Sequence, residues 1–346
     1  MNVLMIPNGY KGCGYVRLQL PAWQNGFDMA ETVQEMLDKA KYADVIVFHR
    51  PENKEYYDVA VMLKGLGKKI VMDNDDTFKI DDYHPLATFK PDAVEVGLKG
   101  RDDAISKFLG IADLVTTTTE TLAKEYRKLN DNVVILPNCV DPIDWDDPIR
   151  NEADKVRIGI VGSCAFEYDY LHVKDVLKEL SDREDVQLCM FGLGDKQHRK
   201  NNSRVTKVFK DDYKFWDSVN IEHQPWCDIE DYPSMLNESK LDIMLMPRKD
   251  NYFNRCKSNL KFLEASMLEI PVIAQSFDNA PYEEIKHMEN GILIRDNKDW
   301  MKMINWMIDG KDRRRMIGKT AKQYTLNNYN IEEKAQLWAD AYAKLF

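Results

Sequence analysis

The densest run of chemically able side chains lies between Met246 and Ala265. There an apolar stretch ends, and Arg248, Lys257, Ser258, Asn259, Lys261 and Glu264 follow within one loop and one helical segment. A helix beginning near Lys257 turns its N–H groups and the positive end of its dipole toward the loop, which suits an anion such as a diphosphate. Arg248 and Lys257 supply compensating charge, and Ser258 a hydroxyl donor. Glu264 shares a helix face with Lys257 and Lys261, so its carboxylate can accept from two ribose hydroxyls while the lysines face phosphate. Taken alone, the same segment also reads as an amphipathic surface helix with an exposed Lys261–Glu264 pair.

A second group is acidic. Asp73, Asn74, Asp75, Asp76 and Thr77 follow an apolar stretch directly, and Asp73-Asn74-Asp75 matches the spacing that holds a divalent cation beneath a diphosphate. Loop capping by Asp and binding of an acceptor hydroxyl without metal are the competing readings. His84 lies a few residues on, and its near-neutral reference pKa makes it eligible as a base. The third group is the run from Pro7 to Arg17, with glycines at 9, 12 and 14. Glycines at a strand-to-helix turn let backbone N–H groups approach an anion or a sugar closely, although neither GxGxxG nor a P-loop is present.

These groups need a scaffold that gathers them, and the hydropathy pattern supplies one. Short β-branched runs (residues 3–6, 45–48, 70–72, 114–117 and 133–136) alternate with helix-period segments at about 31–42, 54–66, 92–110 and 119–129, the pattern of a parallel sheet covered on both faces. A proline- and acid-rich connection at 137–154 interrupts the rhythm. It then restarts with strands at 156–161, 186–191, 241–246, 271–274 and 292–294. The expected fold class is α/β, two doubly wound Rossmann-like domains, spanning 1–150 and 151–328. A tail, 329–346, carries an apolar stripe of Leu337, Trp338, Ala341 and Leu345 that must bury against something. Open parallel sheets bind ligands beyond the carboxyl ends of their strands, where all three groups fall.

Composition narrows the class. A chain of 346 residues with 44% hydrophobic and 31% charged residues is long enough for two domains and is neither disordered nor fibrous. No apolar run reaches the roughly 20 residues of a membrane span and none near the start resembles a signal-peptide core, which points to the cytoplasm. Six scattered cysteines without a CxxC pair suggest reduced, packing thiols. The formal charge of −10 argues against broad attraction to a polyanion. One basic strip between Asp195 and Lys214, with Lys196, Arg199, Lys200, Arg204, Lys207, Lys210 and Lys214, stands apart and reads either as a solvated loop or as a nucleic-acid contact.

From Phe253 to Ala274 the sequence resembles the donor-binding segment of GT-B fold glycosyltransferases of the retaining, family-4-like branch, which includes phage-encoded members. Further resemblance runs in order along the chain, through Gly12-Cys13-Gly14-Tyr15-Val16-Arg17, Phe48-His49-Arg50-Pro51, Asp73 to Thr77, Val161-Gly162-Ser163, Pro281-Tyr282 and Glu289-Asn290-Gly291. The resemblance implies a hexosyl- or pentosyltransferase that moves a sugar from a nucleotide diphosphate sugar to an acceptor hydroxyl, with retention and with no metal or other cofactor. It implies donor binding by Gly162, Ser163, Ser258, Asn259, Lys261 and Glu264, and stabilisation of the leaving diphosphate by Arg248 and Lys257. The acceptor, a saccharide or glycan, would meet Gly12, Gly14, Tyr15, Arg17, Asp75, Asp76 and His84, and the final helix would cross back onto the first domain. The sequence departs from the family pattern at Cys256, which stands where the family carries the glutamate that meets the donor sugar. Rival readings are transfer to hydroxymethylated bases of phage DNA, in the host cytoplasm, through the basic strip, a metal enzyme using Asp73 and Asp75, and a noncatalytic nucleotide-sugar or glycan binding protein.

Overall fold

Each half of the chain builds one six-stranded sheet whose strand pairs are all parallel. The computed structural model describes residues 1–8, 12–77, 79, 103–162, 166–192, 210–224 and 227–346, the side chains of 167 and 210–212 excepted. The first sheet contains β1 (Val3–Ile6), β2 (Asp28–Met29), β3 (Val45–His49), β4 (Lys69–Asp73), β5 (Leu114–Thr117) and β6 (Val133–Ile135), in the spatial order β2-β1-β3-β4-β5-β6. The second contains β7 (Val156–Val161), β8 (Val186–Phe191), β9 (Ile221–Gln224), β10 (Ile243–Met246), β11 (Val272–Gln275) and β12 (Ile292–Ile294), in the order β12-β11-β10-β7-β8-β9. Central strands such as β3 and β10 are buried along their whole length, because helices cover both faces; their side chains are apolar except His49 at the carboxyl end of β3.

Two edge strands escape the hydropathy pattern. Asp28–Met29 is two residues long, and Ile221–Gln224 reads IEHQ with each residue only half-buried. An edge strand pairs on one side and needs no continuous apolar run.

The order of strands reverses between β1 and β3 in the first sheet and between β7 and β10 in the second. At such switch points adjacent connections leave toward opposite faces and open a crevice at the carboxyl ends. The helix Leu260–Met267, which follows β10, is held from behind by the helix Lys311–Tyr329. Gly318 makes this approach possible, since a Cβ there would lie 2.0 Å from the Glu269 carbonyl oxygen.

The tail returns to the first sheet. Trp338, Ala341 and Tyr342 of the helix Gln336–Ala343 are buried among Val3, Met5, Leu18, Val45 and Val71. Leu337, assigned to the buried stripe from sequence, is 42% exposed, and Tyr342 takes its place. Trp338, Ala341, Tyr342 and Leu345 fall at i, i+3, i+4 and i+7 on one helix face, and Leu337 lies beside it. Burying two aromatic side chains of this size stabilises the join by about 2 to 3 kcal/mol each. No helix among the described residues is long and apolar enough to cross a membrane.

Candidate active site

The two switch points face each other across a cavity of about 490 Å³. Gly12 and Cys13 reach it from the loop after β1, Arg50 from the end of β3, Gly162 from the end of β7, and Arg248 from the loop after β10. Asp75, Asp76, Lys257, Ser258, Lys261 and Glu264 also line it, so the basic donor segment and the acidic segment, far apart in sequence, share one space.

On the second sheet's side, Arg248 is 5% exposed and held by two contacts: Nη1 donates to Asp169 (3.0 Å) and Nη2 to the Tyr282 hydroxyl (3.3 Å). Its guanidinium lies 4.0 Å from the Phe166 ring centroid, and its Nε is buried with no hydrogen-bond partner among the described residues. Burial disfavours the charge, but Tyr282 and Asp169 more than offset it, so Arg248 is held above its ordinary pKa. A fixed, buried cation with an idle donor is a strong attractor for an anion. Asp169, absent from the sequence-based assignment, also accepts from the Lys249 N–H and from Asn254 Nδ2, and so locks the whole loop after β10.

Deeper along the same wall, Glu264 Oε2 accepts from Lys261 Nζ (2.9 Å) and the Tyr232 hydroxyl (3.1 Å). Burial works against the lysine charge, yet Glu264 and Tyr232 raise its pKa well above the ordinary value. The surface-pair reading of Lys261–Glu264 therefore fails: Glu264 is 7% exposed and its Oε1 has no hydrogen-bond partner among the described residues. Ser258 lines the cavity and accepts from Asn138 Nδ2 at 2.8 Å. Asn259 does not line it. Its Nδ2 donates to Glu284 (3.0 Å), and it is buried at the helix start beside a separate cavity of about 280 Å³ that Tyr329 also lines.

On the first sheet's side the acids divide into three roles. Asp73 is fully buried and both its oxygens are taken by Arg17 (Nε 3.1 Å, Nη2 2.6 Å), with Thr116 adding a hydroxyl at 2.7 Å. This corrects two expectations at once. Arg17 does not face an acceptor but is a buried strut that also donates to the Leu136 carbonyl and to Asn138, and Asp73 is not a free half of a cation-binding pair. Burial would raise the Asp75 carboxyl, but Arg50 (2.6 Å) and His49 hold it well below the usual carboxylate range. Asp76 turns into the cavity, where both its oxygens lie 2.9 Å from Lys257 Nζ.

Gly12 has the positive φ of 59° that glycine tolerates and lines the cavity. Gly14 has helical backbone angles and is buried beneath a π-helical turn, Tyr15–Gln19, that aims Arg17 inward. Tyr15 lies outside the main cavity, in an adjoining one of about 270 Å³, with its hydroxyl donated to Asp144. Cys256 is also turned away. It is buried in the apolar cluster of the first sheet beside Tyr126 and Phe108, and burial pushes its thiol up to about 12. His84, Ser163 and the part of the basic strip from Lys196 to Lys207 lie outside the described residues, while Lys210 and Lys214 belong to the helix Lys210–Ser218. Sequence reasoning missed Arg50, Asn138 and Tyr232 as cavity-lining residues and Asp169 as the anchor of Arg248; Arg50 carried one signal, its place at the carboxyl end of a central strand.

The family model for glycosyl transferases group 1 matches residues 143–324, more than half of the chain and all of the second sheet. The chain belongs to that family. No curated protein matches it in a sequence search. Among solved structures, sucrose-phosphate synthase from Thermosynechococcus elongatus is similar at a TM-score of 0.68 and 12% identity, covering 100% of this chain and 99% of the other. HepE from Anabaena in complex with UDP is similar at 0.65 and 12%, covering 99% and 100%. TarM is similar at 0.60 and 14%, covering 86% of this chain, which spans only 54% of TarM. At these identities the likeness concerns the fold, which is GT-B: two Rossmann-like units with a cleft between them and a tail that returns to the first.

Proposed function

We propose that this group 1 glycosyltransferase moves a sugar from a nucleotide diphosphate sugar to an acceptor hydroxyl, with retention at the anomeric carbon. The observation that carries the reading is the convergence in one cavity of Arg248, Lys257, Lys261 and Glu264 from one sheet with Asp75 and Asp76 from the other. Glu264, through its unengaged oxygen, accepts from the ribose hydroxyls. Arg248 and Lys257 meet the diphosphate and stabilise the negative charge that grows on it as the glycosidic bond breaks, a task that preorganised cations perform without reorganisation. Phe191, Ile229 and Tyr232 at the far end of the cavity give the base an apolar, aromatic seat. UDP in the HepE complexes supports a uridine donor.

The acceptor enters from the first sheet, where Asp76 offers a carboxylate to a hydroxyl. The formal charge of −10 gives no general attraction to a polyanion such as DNA, which favours a saccharide acceptor. On this reading 1–150 is the acceptor unit, 151–328 the donor unit and 329–346 the returning tail.

The test is a thermal-shift panel of UDP-, GDP- and ADP-sugars, since a ligand at about 100 times its Kd adds roughly 2.7 kcal/mol to stability. Donors that bind are then followed for release of nucleoside diphosphate, for transfer to a saccharide array, and for the anomeric configuration of the product by NMR. Binding without turnover on any acceptor overturns the transferase reading in favour of a nucleotide-sugar binding protein, and an inverted product overturns retention.

A further inference from the structure

Lys257 has two suitors. Its Nζ lies 2.9 Å from both oxygens of Asp76, on the opposite side of the cleft, and it is the cation that the proposed reading gives to the donor diphosphate. The pair is 17% and 19% exposed, so it is neither freely screened by water nor sealed from a ligand. One ammonium group cannot give its full charge to a carboxylate and a diphosphate at once. We infer that Asp76 is a built-in competitor of the donor diphosphate for Lys257, and that its displacement by the donor prepares the acceptor wall.

Asp76 is equipped for both situations. Its carbonyl accepts from the Tyr126 hydroxyl (2.7 Å), and its Oδ1 accepts from the Thr77 N–H (2.9 Å), so backbone and carboxylate stay oriented when Lys257 leaves. Arg50 Nη2 stands 3.6 Å away and keeps a positive charge near it. Arg50 itself is pinned: it bonds Asp75, and its backbone N–H donates to the Asp73 carbonyl from a left-handed conformation (φ 46°) that is costly for a non-glycine residue. Released from Lys257, the Asp76 carboxylate gains accepting capacity for an acceptor hydroxyl. Before release that capacity is spent on the lysine. The consequence is an order of binding, donor before acceptor, set by one side chain.

This inference rests on the proposed function, and the experiment separates the two. UDP binding is measured by calorimetry for the wild type, Asp76→Asn, Lys257→Met and the double variant, with melting curves to confirm folding. If Asp76 competes, Asp76→Asn binds UDP roughly two- to fivefold more tightly than the wild type, the factor matching an ion-pair term of about 0.5 to 1 kcal/mol. The same substitution in the Lys257→Met background changes nothing, and transfer to acceptor falls in Asp76→Asn even though the nucleotide binds better. Lys257→Met and the double variant keep the readout available should one single variant fold poorly. UDP affinity that Asp76→Asn leaves unchanged or weakens, with wild-type binding intact, overturns the competition alone. A wild-type protein that binds none of UDP, GDP or ADP overturns the donor reading and this inference with it.

Discussion

Replacing Glu264 with alanine isolates the part of the cavity meant for the nucleoside. The side chain makes two hydrogen bonds through Oε2, to Lys261 and Tyr232, and leaves Oε1 without a protein partner among the described residues. A ribose that donates two hydroxyls to this carboxylate gains charge-assisted bonds worth about 1.5 to 3 kcal/mol, so their loss weakens UDP roughly ten- to 150-fold. Lys261 loses its counter-ion as well. Because its head group is a quarter exposed, the stability cost is discounted to that of a half-screened pair, on the order of 1 kcal/mol. The Glu264→Gln variant provides the control, since it keeps the shape and one acceptor oxygen and should fall between wild type and alanine. Calorimetric titration with UDP reads the affinity, and a melting curve reads the fold. A Glu264→Ala protein that melts like the wild type and binds UDP equally well would refute the ribose assignment and return Glu264 to a purely structural partner of Lys261.

Lys257→Ala should lower turnover more than UDP affinity, because its charge matters most as the diphosphate departs; steady-state kinetics showing the whole loss in KM would make it a binding residue only. Arg17→Met leaves Asp73 buried without its cation and should destabilise the protein by about 3 to 5 kcal/mol in denaturant titration, whereas a residue facing the acceptor would leave stability nearly intact. For Arg50 the pH dependence carries a sign. Asp75 has a depressed carboxyl pKa in the folded state, so its contribution is present above the ordinary carboxylate value of about 4 and is lost as pH falls through the depressed one. The melting temperature of Arg50→Met should therefore lie well below that of the wild type at neutral pH, with the gap narrowing below about pH 4, and a gap constant across that range contradicts the Arg50–Asp75 coupling.

The central strands were legible because burial on both faces forces continuous apolar runs, as in Val45–Phe48 and Ile243–Met246. The donor segment was legible because a basic loop follows one of those strands, although the helix after it begins at Leu260 rather than near Lys257, with a short helix, Tyr252–Arg255, between. What sequence could not say was which way each polar side chain turns. Asp73, Asp75 and Asp76 are near neighbours in the chain, yet one is a buried strut, one an ion-pair partner of Arg50 and one a cleft residue, because they leave a strand and enter a turn where successive side chains diverge. Arg17 looked like a ligand-facing cation because nothing local marks its partner, 56 positions away. Cys256 was read as a gap in the donor site, and its burial in the first sheet's cluster depended on how the two halves meet.

The returning tail also has a meaning for how the chain is made. Ala335 accepts a hydrogen bond from Asn25, 310 positions earlier, and Ile331, Trp338 and Tyr342 complete an apolar layer begun by Val3 and Leu18. During synthesis the first sheet therefore leaves the ribosome with one face uncovered until the tail emerges, and the second, whose clusters reach Ile317 and Ala321, also closes only near that point. Chains that end before residue 331 should present an N-terminal unit with an exposed, chaperone-dependent apolar face.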